Sequence, residues 1–178
     1  MKLLESPPVA LVNDVHSGIN PTSVAEVWAP RTVEEAAAMI GIAATTGRSI
    51  CVCGARHAMG GQQFLTGGVL LDTRRLTRVV SLDAERGVVR VEAGITWPEL
   101  VRELHRLQSP DIHWSIGQKQ TGADRLTLGG ALSANVHGRG LGQAPIVSDV
   151  ESFLIALPNA SVQRCSRDSN PALFGLAI

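Results

Sequence analysis

From Cys53 to Gln62 the chain reads CGARHAMGGQ, a stretch that sets one imidazole and one guanidinium among three glycines. Successive backbone N–H groups over Gly54, Ala55, Arg56, His57, Ala58, Met59 and Gly60, held in turn conformations, could form a nest for a pyrophosphate without any lysine. Phosphate cradling has no use for a titratable ring, so His57 asks for a second explanation. A further stretch, Thr127 to Gly138 (TLGGALSANVHG), puts Gly129 and Gly130 where backbone can approach a ligand, with Asn135 and His137 as polar ends. Two donor-rich loops on one domain suit a large dinucleotide held from both sides. The competing reading of either loop is an ordinary glycine turn.

Other chemistries lack their residues. No G-x-x-x-x-G-K-[ST] occurs, and no G-x-G-x-x-G follows a strand and opens a helix, which removes the mononucleotide P-loop and the Rossmann site. G-x-S-x-G is missing, and His16, His57, His105, His113 and His137 form no H-E-x-x-H or C-x-x-C pattern, so a metal site is not expected. The 16 basic and 16 acidic residues cancel to +0, leaving no electrostatic footprint for nucleic acid or an anionic membrane. No apolar run approaches the roughly 18 residues of a membrane span. The opening MKLLESPPVA lacks the apolar length of a signal peptide. Cys51 and Cys53, two apart in an apolar run, point the same way on a strand and read as buried thiols, which suits a reduced, cytoplasmic compartment.

The elements that must position the loops follow from pattern. Ser23 to Trp28 reads as a short strand. Thr32-Val33-Glu34-Glu35 has capping-box spacing, and Val33, Ala36, Ala37, Ile40, Ala43 and Ala44 recur at helical spacing up to a stop at Gly47. Ser49 to Cys53 is then expected as a buried strand, completing a βαβ unit whose exit is the first loop. Open α/β sheets bind ligands at such carboxyl ends. Further strands are expected at Gly68 to Asp72, Arg78 to Leu82 and Val88 to Ala93. A second capping box, Thr96-Trp97-Pro98-Glu99, opens a helix with Leu100, Val101, Leu104 and Leu107 on its apolar side. Ser109 to Gly130 is loop-rich, a length that in a compact domain is usually functional or mobile. Two strands, Val150 to Leu157 and Ser161 to Cys165, and a helix behind Asn170-Pro171 close the pattern. At 178 residues, with 18 glycines and 3% aromatics, this is one α/β or α+β domain, at most bilobal.

The order of these segments, CGARHAMGG, then VLLDTRRLTRVVSLD, then VVRVEAGITWPEL, then TLGGALSANVHG, resembles the FAD-binding domain of the vanillyl-alcohol oxidase and para-cresol methylhydroxylase (PCMH) type. The likeness is greatest to its sugar- and aldonolactone-oxidising members. It implies an α+β fold of two α+β subdomains with FAD between them. It also implies cofactor contacts from Cys53, Gly54, Ala55, Arg56, His57, Ala58, Met59, Gly60 and Gln62, from Thr121 and Gly122, and from Thr127, Gly129, Gly130, Ser133, Asn135, His137 and Gly138. Asp72 and Gly94 match structural landmarks of the family. Several members attach FAD covalently through a histidine in a G-x-G-H-S pattern, and His57 falls on that histidine. Here Arg56 replaces the usual glycine and Ala58 the usual serine, so covalent attachment and a histidine that only bonds within its loop both stay open. Arg56 could instead bring charge to the pyrophosphate.

The resemblance divides the chain into an N-terminal extension, 1–22, and an FAD domain, 23–178, short of its last glycine-rich motif and of the substrate domain. The parent would be an FAD-dependent oxidoreductase taking hydride from an alcohol-type substrate, with the fragment alone inactive. A non-catalytic nucleotide-binding fragment and an NADPH-dependent flavin reductase on the same fold remain the alternatives. Residues acting on substrate cannot be named from this stretch.

Overall fold

A computed structural model describes residues 10–109, 111, 114–117, 119, 122, 124–142 and 144–176. The chain divides into two compact units: the residues up to Thr73 with Ala156–Ser161, and Arg74–Ile155 with the residues from Val162 on.

The first unit is built on a short parallel sheet. β1 (Ala10–Val12) pairs antiparallel with β2 (Thr22–Val24), and β3 (Glu26–Trp28) pairs parallel with β5 (Val69–Asp72). The expected single strand over Ser23–Trp28 is thus two strands. The chain changes sheets at Ala25, whose N–H donates to the Gly68 carbonyl at 2.9 Å. From β3 the chain runs through α1 (Val33–Thr45) to β4 (Ile50–Cys53), and β5 inserts between them to give the order β3-β5-β4. β5, a continuous VLLD run, is buried along its whole length, as a central parallel strand requires. Its Leu70 and Leu71 are 0% and 2% exposed, each contributing about 2 kcal/mol by burial. β4 is not the buried strand the sequence suggested. It lies at the sheet edge, with Cys53 buried and Val52 exposed, because only one of its faces is covered. Cys51 and Cys53 are free thiols, and burial pushes the Cys51 thiol above its ordinary pKa.

α1 starts where the cap predicts. Thr32 Oγ1 accepts the Glu35 N–H at 3.1 Å, while the Glu35 carboxylate takes the Arg31 N–H rather than that of Thr32. Its buried face is Ala36, Ala37, Gly41 and Ala43; Ala44, expected on that face, is exposed. Gly41 belongs there because a Cβ at this position would come within 2.7 Å of Ala160 Cβ.

In the second unit, β6 (Val79–Asp83) and β7 (Val88–Val91) form an antiparallel hairpin, followed by α2 (Trp97–Leu107) and α3 (Leu128–Ser133). β8 (Ser152–Ala156) then pairs with β9 (Val162–Ser166), and α4 (Pro171–Leu176) follows. The second capping box forms in full, with the Thr96 N–H donating to Glu99 Oε2 at 2.8 Å. Ile95, Trp97, Leu100, Leu104, Ala131 and Ile146 make the core. Trp97 is therefore packing, whereas Val101 and Leu107 turn out to solvent at 39% and 43% exposure. Trp114 donates its Nε1–H to the Ala84 carbonyl at 2.7 Å and covers the hairpin turn. Both units mix helix and strand, so the fold class is α+β. Among the described residues no helix is long and apolar enough to cross a membrane.

Candidate cofactor site

The first loop leaves β4 at Cys53, beside the end of β5 at Asp72. These are the carboxyl ends of neighbouring parallel strands. Thr73 Oγ1 ties the exit by donating to the Cys53 carbonyl at 3.0 Å. Cys53 is buried, Gly54, Ala55, Arg56, His57 and Ala58 are half-buried, and Met59, Gly60 and Gln62 are exposed. The bonds that hold the loop run into its carbonyls. The Val15 N–H donates to Arg56 O at 3.0 Å, Asn20 Nδ2 to Met59 O at 2.7 Å, and Gln63 Nε2 to Ala58 O at 3.0 Å. The N–H groups of Ala55, Arg56, Ala58, Met59 and Gly60 donate to nothing among the described residues. A row of uncommitted donors around a residue in the left-handed region, Arg56 at φ +61°, has the form of an anion nest. These residues fit a pyrophosphate.

Arg56 itself turns inward. Its Nη2 donates to Asp72 Oδ2 at 3.0 Å, with the side chains 16% and 7% exposed, and its buried Nε makes no hydrogen bond. The charge that sequence reading offered to a phosphate is committed to Asp72.

The second predicted loop is partly a helix. Thr127, buried, caps α3 by accepting the Gly130 N–H on Oγ1 at 3.3 Å. Gly129 donates its N–H to the Ala93 carbonyl at 2.8 Å, and a Cβ on it would stand 2.8 Å from Ala93 Cβ. The missing side chain of Gly129 thus serves helix packing within the unit. Gly130 and Ser133 are exposed, with Ser133 Oγ donating to the Gly130 carbonyl at 3.1 Å. Asn135 (φ +42°) accepts the Val147 N–H on Oδ1, and His137, exposed, donates Nδ1–H to the carbonyl of Gly138 at 3.0 Å. Gly122 is exposed at φ +83°, and Thr121 lies outside the described residues. All the first-loop residues lie in the first unit, and Gly122 through Gly138 lie in the second. Gly94, the other landmark, donates its N–H to the Leu76 carbonyl at 2.8 Å. Among the described residues no group of histidine, cysteine, aspartate and glutamate could hold a metal.

Sequence reasoning missed the turn at 13–20, which it left in the extension. Asp14 is buried at 5% exposure and its carboxylate accepts from the N–H groups of His16, Ser17 and Gly18, from Ser17 Oγ and from Asn20 Nδ2. These bonds, that from Asn20 foremost, hold its carboxyl well below the usual carboxylate range. The turn brings His16 Nε2 to 2.7 Å from His57 Nδ1. The signal was present in NDVHSGIN, a run dense in the residue types that bond their own backbone.

Comparison with known proteins shows the family. A protein 30% identical over 154 residues is the uncharacterized oxidoreductase ORF5 in the fasciation locus of Rhodococcoides fascians, matched over 83% of this chain and 32% of its own length. L-gulonolactone oxidase of Bos taurus is 25% identical over 148 residues, again 83% of this chain and 32% of the relative. The chain thus spans about a third of the length of these relatives. A solved structure of alkyldihydroxyacetonephosphate synthase superposes with a TM-score of 0.75 at 20% identity, over 90% of this chain and 30% of that one, which shows a shared fold. The model of the family described as FAD binding domain matches residues 24–166. Its stretch takes in both glycine-rich segments, so the chain belongs to the FAD binding domain family, whose cofactor is FAD.

Proposed function

We propose that this chain is the FAD-binding part of an FAD-dependent oxidoreductase that oxidises an alcohol-type substrate, a sugar or lactone. The observation that supports the reading is the set of N–H groups of Ala55, Arg56, Ala58, Met59 and Gly60, which donate to nothing among the described residues, in the loop that leaves β4 beside the end of β5. Bound FAD would supply the redox chemistry, accepting a hydride from a substrate C–H bond, while the protein supplies position and electrostatics. The loop amides would donate hydrogen bonds to the pyrophosphate, and the Arg56–Asp72 pair ties the loop to the end of β5. The substrate class is supported by the likeness to L-gulonolactone oxidase. Free thiols at Cys51, Cys53 and Cys165 support a reduced cytoplasm.

We further propose His57 as the point of covalent attachment to the flavin: a ring nitrogen would bond the C8 methyl carbon in place of one of its hydrogens, with the protons passing to solvent and the two electrons left in the flavin passing on to oxygen or another acceptor. Acid precipitation of flavin-loaded protein tests this: the flavin is expected in the pellet for the wild type and in the supernatant for His57→Ala. Flavin released wholly into the supernatant by the wild type would refute the attachment.

A further inference from the structure

The turn at 13–20 lies ahead of the residues that the family model matches, 24–166. It is nonetheless fastened to the cofactor loop at three points: Val15 N–H to Arg56 O, Asn20 Nδ2 to Met59 O, and ring to ring between His16 and His57. The third is chemical, because two imidazole nitrogens 2.7 Å apart must share one proton, one nitrogen carrying the hydrogen and the other a lone pair. The rings stand with centroids 4.5 Å apart and planes crossed at 65°, edge toward face. A bond at one nitrogen of a histidine decides which nitrogen carries the proton at the other.

We propose that His16 is a positioning residue for His57: the Asp14-centred turn sets His16 Nε2 as the acceptor of the His57 Nδ1–H and so holds His57 in the Nδ1–H tautomer, with the lone pair on Nε2. The direction of that bond rests on the attachment reading. Bonding to a carbon needs a lone pair on the nitrogen that faces it, and with Nδ1 engaged that nitrogen is Nε2. His16 is exposed, so its own Nδ1 can keep its proton against water. Asp14 acts one step back. Its carboxylate fixes the His16 backbone through the His16 N–H at 3.0 Å and ties in Asn20, which reaches the same loop.

The test is long-range proton–nitrogen NMR on the ¹⁵N-labelled chain, which reads imidazole tautomers directly and needs no variant. The wild type is expected to show His57 protonated at Nδ1, with a coupling across the hydrogen bond to His16 Nε2. His16→Ala is expected to move His57 toward the Nε2–H form, and His16→Gln, whose side-chain oxygen can accept, to restore Nδ1–H. His57 found as Nε2–H in the wild type, or a tautomer indifferent to His16→Ala, overturns the proposal. A second readout is the fraction of flavin retained after acid precipitation. It should fall about tenfold in His16→Ala, the low end of what losing an orienting partner costs at metal-bound histidines. Full retention in His16→Ala overturns the positioning role and leaves attachment standing. A wild type with no retained flavin overturns attachment, and the tautomer then decides the case for His16.

Discussion

Arg56 occupies a left-handed conformation, φ +61°, that glycine adopts without strain, and its guanidinium meets Asp72 in a largely buried pair. Arg56→Gly should relieve roughly 1 kcal/mol of backbone strain and lose about 3 kcal/mol of buried pairing. The expected net loss is about 2 kcal/mol of unfolding free energy, read from urea denaturation. Gly129→Ala forces a Cβ against Ala93 and should cost about 1–3 kcal/mol. Gly142→Ala, which meets open space, should stay within about 0.5 kcal/mol of wild type in the same experiment. Asp14 carries a pH signature. Its folded pKa is depressed, so the turn's stabilisation is in place above the ordinary aspartate value of about 3.9 and is lost as pH falls through the lower folded value. Amide exchange should show Ser17 and Gly18 protected in mild acid and released only in stronger acid, with Asp14→Asn releasing them at every pH. From the sequence, His57 could be singled out because it interrupts a glycine loop. His16 could not, because the 41 positions between the two rings are closed only by tertiary contacts.

At the scale of elements, what the sequence disclosed was local. Both helix starts were readable because a cap acts over three residues, Thr32 to Glu35 and Thr96 to Glu99. Thr96→Ala should therefore cost about 1 kcal/mol of stability, measurable as a lowered denaturation midpoint. The exposure of Val52 was hidden because it depends on β5, more than a dozen residues later, taking the central place and leaving β4 at the edge. α3 was hidden for another reason. Two adjacent glycines are poor helix formers, and the contact with Ala93 that makes Gly129 necessary lies far away in sequence. The strand break at Ala25 belongs to the same class, since it reflects two different partners, β1 and β5, for adjacent segments.

For the whole molecule, the order of segments carried more information than any one of them. Each glycine loop alone reads as a turn, but both loops in sequence with VLLD and VEAG match one family over residues 24–166. The two α+β units expected from that resemblance are present. In the first loop the amides of Ala55, Arg56, Ala58, Met59 and Gly60 donate to nothing among the described residues, while in the second segment Gly129 packs against Ala93. The measurement that tests the central claim most directly is the flavin content of this protein, produced in its natural gene context and purified without added cofactor. The account predicts a yellow protein whose absorbance shows bound flavin, identified as FAD on denaturation or on digestion of a covalent adduct. A colourless, folded protein that neither carries FAD nor takes it up on titration would contradict it.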